Sequence, residues 1–366
     1  MSHSRPPLPR FLYQFKPVHV LLGLVPLSIV VSAAVGPGVA TFLLSILALI
    51  PVSVLMGEAT EQLSLHLGPM PGGLLNATFG NAAELAIGFL GLRAGLLPMV
   101  RASITGSIIG NMLLVLGMGA LAGGLREKEQ EFGRPTGSLM STLMLLAVIG
   151  LVAPAVFAST WHGTPSETSR SQHLSAAVAT VLLVTYALGL LFTLKTHQSL
   201  FTQQESIDSP APSWSLFQGL TTLCFCALLV FVESEIVVGS VSTAAIRLGL
   251  TQTFIGVILV AIAGNAAEHA TAVWMAYQGR MDICVNVSVG SSAQIALLVA
   301  PLLVLTSMGL PHPLSLIFSP MELTSVILAV AIAHFVGLDG KTNWFEGVEL
   351  LAVYLILAAA FFYLPA

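Results

Sequence analysis

The sequence predicts an all-α polytopic membrane protein of about eleven transmembrane helices, one N-terminal helix followed by two inverted five-helix repeats. Three observations carry that expectation. Of 366 residues, 55% are hydrophobic and 8% charged, with a mean hydropathy of +0.91. A soluble domain carries about 25% charged residues, so soluble globular, disordered and nucleic-acid-binding classes are excluded. The apolar residues form eleven stretches, and one motif in the first half recurs in the second.

A bilayer core about 30 Å thick needs about 20 apolar residues per helix. Cuts at polar and Pro/Gly breaks give spans 18–35, 38–57, 72–92, 98–124, 137–160, 173–194, 215–232, 251–278, 283–308, 315–337 and 344–364. Continuous apolar runs, rather than period-two alternation, make these helices and not barrel strands. Arg5, Arg10 and Lys16 ahead of the first span, with Ser32-Ala33-Ala34 near its end, imitate a signal peptide. Pro26 interrupts that run and a second apolar stretch follows at once, which favours a retained helix.

The expected organisation is a cytoplasmic segment 1–17, an extra helix 18–35, a first repeat 36–195, a polar linker 196–214 and a second repeat 215–366. The linker is rich in Ser, Gln and Pro. The loop 125–136, with Arg126, Glu127, Lys128, Glu129, Glu131 and Arg134, reads as a solvated connection. With the N-terminus cytoplasmic, nine of thirteen basic residues fall inside: Arg5, Arg10, Lys16, Arg126, Lys128, Arg134, Lys195, Arg280 and Lys341. Cys224, Cys226 and Cys284 lie in apolar runs and read as packing residues.

Gly80-Asn81-Ala82-Ala83-Glu84 recurs as Gly264-Asn265-Ala266-Ala267-Glu268, an offset of 264 − 80 = 184. The same offset maps Gly95 onto Gly279, Gly106-Ser107 onto Gly290-Ser291 and Leu113-Leu114-Val115 onto Leu297-Leu298-Val299. One constant offset over so long a stretch marks a duplication. The motif sits in the third and eighth spans, so an odd number of crossings separates the copies and they enter the membrane from opposite sides. Such inverted repeats are a pattern of secondary transporters, with the site near the midplane between the halves.

Glu84 and Glu268 are each central in an apolar span, where a carboxylate costs about 2.5–3.5 kcal/mol on insertion scales and has to face a bundle interior or water. Asn81 and Asn265 lie three residues before them and can reach the same cavity. Gly80 and Gly264 permit a helix break that frees backbone carbonyls. Carboxylates with amide, carbonyl and water oxygens suit Ca²⁺; His269 beside Glu268 keeps Zn²⁺ or Mn²⁺ open. Matching-depth polar residues follow in the fourth and ninth spans: Ser107 and Asn111 in one, Ser291, Ser292 and Gln294 in the other. Each serine has interhelical hydrogen bonding as its bland alternative. Glu58 and Glu61 close the second span and Glu233 and Glu235 the seventh, as acidic pairs that pre-concentrate cations at the two mouths or merely mark helix ends.

With these residues the chain resembles the calcium/proton antiporter (cation/proton exchanger) family of the calcium/cation antiporter superfamily. The resemblance is carried by Pro71-Gly72-Gly73-Leu74-Leu75-Asn76-Ala77-Thr78-Phe79 leading into the first motif, and by the second motif with His269 and then Gly290-Ser291-Ser292-Ala293-Gln294-Ile295. It implies a Ca²⁺/H⁺ exchanger working by alternating access, in which Glu84 and Glu268 bind Ca²⁺ or protons competitively, His269 sits at the proton-coupling site, and the second and seventh spans are long gating helices. A sodium/calcium exchanger, or a proton-coupled exchanger of another divalent cation such as Mn²⁺, is the alternative. No cofactor is expected beyond the transported Ca²⁺ and H⁺. The partners are the lipid bilayer and those ions, with a homo-oligomer compatible and nucleic acid not. The location is an inner membrane if bacterial and a vacuolar-type membrane if eukaryotic. Neither a complete Walker motif, Gly-x-x-x-x-Gly-Lys-Ser/Thr, nor His-Glu-x-x-His occurs, so an ATPase or zincin enzyme is not expected.

Overall fold

The computed structural model describes residues 17–132, 134–160, 167–197 and 212–365. Nearly all of the expected N-terminal segment and most of the 196–214 linker lie outside the described residues.

A 3₁₀ segment, Pro17–Gly23, leads into α1 (Leu24–Val35). The first half then runs α2 (Val39–Leu67), α3 (Pro69–Phe79), α4 (Ala82–Arg93) and α5 (Leu97–Ile109). A π-helical stretch, Gly110–Val115, joins α5 to α6 (Leu116–Gly124), and α7 (Arg134–Ser159) and α8 (Glu167–Leu191) complete the half. The second half opens with α9 (Leu216–Leu248), started by a Ser215/Gln218 capping box. Next come α10 (Gln252–Phe254), a π stretch Ile255–Val260, α11 (Ala261–Gly264) and α12 (Ala266–Tyr277). α13 (Met281–Gln294) passes through a π stretch, Ile295–Val299, into α14 (Ala300–Ser307). α15 (Pro320–Gly337) and α16 (Trp344–Phe362) both begin with capping boxes, at Ser319/Glu322 and Asn343/Glu346. Two short antiparallel strands, β1 (Gln130–Glu131) and β2 (Lys341–Thr342), tie the loops, with Lys341 paired to Glu131 at 3.1 Å and Glu129 at 3.3 Å. Those carboxylates, Glu131 foremost, hold the Lys341 ammonium above its usual range.

All eleven predicted stretches contain helix, but their lengths differ from the sequence reading. Among the described residues eight helices are long and apolar enough to cross a membrane, and a ninth crossing is the bent pair Gln252–Gly264 and Ala266–Tyr277. The 18–35 stretch is a shorter apolar helix, Val20–Val35, and the 72–92 stretch is interrupted between α3 and α4. The second and seventh spans do not end at 57 and 232: α2 continues to Leu67 and α9 to Leu248. The cuts stopped at polar residues, yet those residues lie within the helices. Near the end of α2, Gln62 Oε1 accepts hydrogen bonds from the Ser213 and Trp214 backbone N–H groups.

The duplication is visible residue by residue. Offset by 184, α4 and α12 begin at Ala82 and Ala266 and end at Arg93 and Tyr277; α5 and α13 begin at Leu97 and Met281; α6 and α14 begin at Leu116 and Ala300. Each repeat turns back after its broken helix on a left-handed glycine, Gly95 at φ +74° and Gly279 at φ +82°, a conformation glycine adopts without steric cost. α2 lies along α9, and the halves interlock reciprocally, α4 against α9 and α12 against α2. In the apolar 18-residue window of each span, 83% of residues are buried for Leu97–Gly124 and 72% for Met281–Ser307, against 17% for Ser169–Thr196, so α5–α6 and α13–α14 form the centre. Leu145, Val184, Leu188 and Leu355 are exposed, as lipid-facing side chains are.

The two halves are nevertheless packed differently. In the second, Gly256 lies against Met99 and Ala102 of α5. Its counterpart Gly72 lies against Ser64 of its own repeat's α2. Gly106 of α5 fits so tightly on the Ile255–Val260 stretch that a Cβ there would stand 2.1 Å from the Val257 carbonyl oxygen, whereas a Cβ on its counterpart Gly290 would meet nothing within 4 Å. Backbone cannot retreat as a side-chain tip can. Gly106→Ala is therefore expected to destabilise the protein by about 1–3 kcal/mol, the range of overpacking. Gly290→Ala is expected to be neutral or stabilising by up to about 1 kcal/mol, since alanine suits a helix better than glycine. Thermal unfolding of the two purified variants tests this, and equal melting shifts would contradict it.

Candidate functional site

The candidate site is built on two helix breaks. α3 stops at Phe79 and α4 resumes at Ala82; α11 stops at Gly264 and α12 resumes at Ala266. Asn81 (φ −104°, ψ 21°) and Asn265 (φ −95°, ψ 10°) adopt the same non-helical backbone, and the second break bends its helix by 62°. Gly80 makes the first break compact, since a Cβ there would stand 2.5 Å from the Asn76 carbonyl oxygen. Each asparagine bridges its own break by donating Nδ2–H to a carbonyl one turn earlier, Asn81 to Ala77 (3.1 Å) and Asn265 to Ala261 (2.9 Å). Each also crosses to the other repeat: Asn81 Nδ2 donates to Gln294 Oε1 at 2.7 Å, and Asn265 Nδ2 to Ser107 Oγ at 2.9 Å.

The partners come from α5 and α13 and the π stretches that follow them. A π stretch admits an extra residue into the turn and re-aims the side chains around it, a distortion frequent at functional sites. Asn111, within the first, is buried, and its Nδ2 donates to Ser291 Oγ at 2.9 Å and contacts Asn265 Oδ1 at 3.4 Å. Asn111 Oδ1 lies 3.1 Å from His269 Nε2. An amide oxygen only accepts, so His269 carries a proton on Nε2. Ser291 Oγ donates in turn to Glu268 Oε2 at 2.5 Å. Glu268 thus stands at the end of a connected chain through Ser291, Asn111, Asn265 and Ser107.

Glu84 has no such anchor. Both its carboxylate oxygens and Asn81 Oδ1 are buried without a hydrogen-bond partner among the described residues. Its carboxylate abuts the second break, where a Cβ on Gly264 would stand 2.7 Å from Glu84 Oε1, and it lies within electrostatic reach of Glu268. Buried acceptors left unsatisfied are expensive, and three of them on Asn81 and Glu84, with a second carboxylate in electrostatic reach of Glu84, are oxygens that a hard cation or protons would satisfy. No three His, Cys, Asp or Glu side chains group together among the described residues, so neutral oxygens would complete a cation's shell.

The structure draws Glu84, Glu268, Asn81, Asn265, Gly80, Gly264, Ser107, Asn111, Ser291, Gln294 and His269 into this one region. Ser292 is placed otherwise: its hydroxyl donates to Ser288 O at 2.9 Å and approaches Ile108 O at 3.4 Å, engaging helix backbone and not the carboxylates. The four outer acids do not mark helix ends, because α2 extends 67 − 58 = 9 residues beyond Glu58 and α9 extends 248 − 233 = 15 beyond Glu233. Glu61 and Glu235 are exposed, whereas Glu233 is fully buried and bonded to Ser28 of α1. The sequence reading did not assign the Ala77 and Ala261 carbonyls as the acceptors that hold the asparagines; their recurrence at the same offset was the available signal.

Duplicated, interlocking halves with paired acids at broken helices define a helical membrane protein of the cation-exchanger class. Residues 37–195 and 218–363 match the sodium/calcium exchanger protein family, and the chain belongs to that family. It is 44% identical over 359 residues to a Ca²⁺/H⁺ antiporter of Aphanothece halophytica, covering 94% of this chain and 96% of the relative. It is 42% identical over 362 residues to a Ca²⁺/H⁺ antiporter of Synechocystis sp., covering 94% and 97%. The structure of native YfkE superposes with a TM-score of 0.83 at 37% identity, covering 95% of this chain and 100% of that one.

Because Ser291 donates to the Glu268 carboxyl and also accepts from Asn111, Ser291→Ala is expected to cost about 1–2 kcal/mol, the upper part of the range for hydrogen bonds between membrane helices. Ser292→Ala loses only hydroxyl-to-backbone bonds and should cost less. Denaturant unfolding in detergent compares them, and Ser292→Ala proving the costlier change would refute this account.

Proposed function

We propose that the protein is a secondary active antiporter that exchanges Ca²⁺ for protons by alternating access, with Glu84 and Glu268 as the oxygen ligands for which the two ions compete. The observation that carries this reading is the unsatisfied Glu84 carboxylate lying against the Gly264 break, within reach of Glu268. The relatives named as Ca²⁺/H⁺ antiporters over nearly the whole chain support the choice of ions. Asn81 Oδ1, Gln294, Asn111, Ser107 and Ser291 supply or position the neutral ligands, and His269 orients Asn111.

An empty site with both carboxylates ionised would carry two negative charges through apolar surroundings, which is prohibitive. A Ca²⁺ ion neutralises both, and so do two protons. Only the loaded forms move between the two faces, so net transport is exchange and needs no ATP. The proposed topology is eleven crossings, an extra helix and two inverted five-helix repeats joined by the 196–214 linker, with the N-terminus cytoplasmic in an inner or vacuolar-type membrane. On that orientation the close packing of Gly106 on Val257 lies in the external half of the bundle, and the open space at Gly290 in the cytoplasmic half.

Ca²⁺ uptake into inside-out vesicles under an imposed pH gradient tests the assignment. Glu84→Gln and Glu268→Gln should each reduce uptake at least about tenfold, equivalent to losing about 1.4 kcal/mol or more of ion binding. Uptake that follows a Na⁺ gradient and ignores pH would instead select a sodium/calcium exchanger. Competition fixes the sign of the pH dependence: protons occupy the carboxylates at low pH, so apparent Ca²⁺ affinity should rise with pH, and a pH-independent affinity would contradict shared ligands. Gly264→Ala should keep the fold, since the Glu84 side chain can swing aside, yet weaken Ca²⁺-induced thermal stabilisation; full stabilisation would remove Gly264 from the site.

A further inference from the structure

A further buried acid, Glu233, lies on α9, on the helix expected to move. Glu233 and Ser28 are each fully excluded from solvent. Ser28 belongs to α1, outside both repeats, and its Oγ stands 2.5 Å from Glu233 Oε1 and 2.8 Å from the Val25 carbonyl oxygen. Glu233 Oε2 and the hydroxyl of the adjacent Ser234 are buried without hydrogen-bond partners among the described residues.

The protons available can be counted. A serine hydroxyl has one, and the Val25 carbonyl has none. If Ser28 gives its proton to Val25, an ionised Glu233 would leave two oxygens 2.5 Å apart with no hydrogen between them. If Ser28 gives it to Glu233, the Val25 contact is left unbonded and an ionised carboxylate stays buried with its other oxygen unsolvated. A carboxylic acid resolves both contacts, with Glu233 donating to Ser28 Oγ and Ser28 donating to Val25 O.

Among the described residues, the helices packed most closely on α9 place no counter-charge at this depth. α1 and α10, which pack on α9, have none; α2 brings Glu58, Glu61 and His66; α4 brings Glu84 and Arg93; α9 itself carries Cys224, Cys226, Glu235 and Arg247. The basic members, His66, Arg93 and Arg247, all stand in the last turns of their helices. A buried charge lacking a partner is the costly case.

We propose that Glu233 is a proton-binding site separate from the Glu84 and Glu268 carboxylates, in which a neutral carboxylic acid donates to Ser28 and ties α1 to α9. The tie is present while the proton is bound and is lost as pH rises, when an unpaired charge would open the α1–α9 interface or draw in water. α9 spans both leaflets and packs against α2 and α4, so the proton on Glu233 sets whether this long helix moves with α1 or apart from it.

Infrared difference spectroscopy on the full-length protein in liposomes, with ¹³C-labelled glutamate, tests the proposal directly. In a Glu84→Gln/Glu268→Gln background, which removes the transport carboxylates and makes the result independent of the transport reading, a protonated-carboxyl C=O band sensitive to the label should persist at neutral pH. Glu233→Gln should abolish it. Ser28→Ala should shift it to higher frequency by removing the hydrogen-bond partner, which keeps the test available should Glu233→Gln fold poorly. Absence of the band in the double variant, its survival in Glu233→Gln, or an unshifted band in Ser28→Ala would each overturn the proposal.

Discussion

A pair of carboxyl groups buried among apolar helices is the constraint on which the rest of this structure depends. The chain carries few charges, and placing Glu84 and Glu268 in the middle of the bundle requires polar partners at the same depth. Helix breaks supply them. At Asn81 and Asn265 the backbone leaves the helix and the side-chain amides repair the gap by bonding to Ala77 and Ala261. The cross-repeat bonds to Gln294 and Ser107 then hold each break against the opposite half. The most buried helices, α5–α6 and α13–α14, present these partners, with Asn111 inside the first π stretch and Gln294 immediately before the second.

The two carboxylates share a sequence frame and differ in company. Glu268 is bonded through Ser291 into a chain of amides and hydroxyls, while Glu84 rests against the Gly264 backbone with its acceptors unmet. Such inequality suits the exchange site proposed for this pair. A fully satisfied pair would have little to gain from a cation, and a fully unsatisfied pair would be too costly to fold around.

Much of this was legible in the sequence, because it depends on periodicity and register. The offset of 184 places the boundaries of α4 against α12, and the Asn-Ala-Ala-Glu frames identify the carboxylates and asparagines that meet. Helix lengths were less legible: Glu58, Glu61 and Gln62 look like a span end, yet α2 continues past them to Leu67, where Gln62 and His66 are engaged by Ser213 and Trp214. Ser292 reads like Ser291 but spends its hydroxyl on backbone, a matter of one residue's rotation around α13. The unequal packing of the halves was not legible at all, since Gly106-Ser107 and Gly290-Ser291 are the same dipeptide in the same frame.

That shared dipeptide gives the structure a second meaning. Each half can be read as a portrait of the pose its twin would take if their roles were traded. The offset that maps Gly106 onto Gly290 also maps Val257 onto Gly73, so trading roles would press Gly290 against the carbonyl of Gly73 as Gly106 is now pressed against that of Val257. A methyl group at 290 would be harmless in the pose drawn here and would jam the mirror pose, turning a stability-neutral substitution into a stop on the cycle that a transport assay reads. On the proposed cycle, the space beside Gly290 is the room that the exchanged pose would fill.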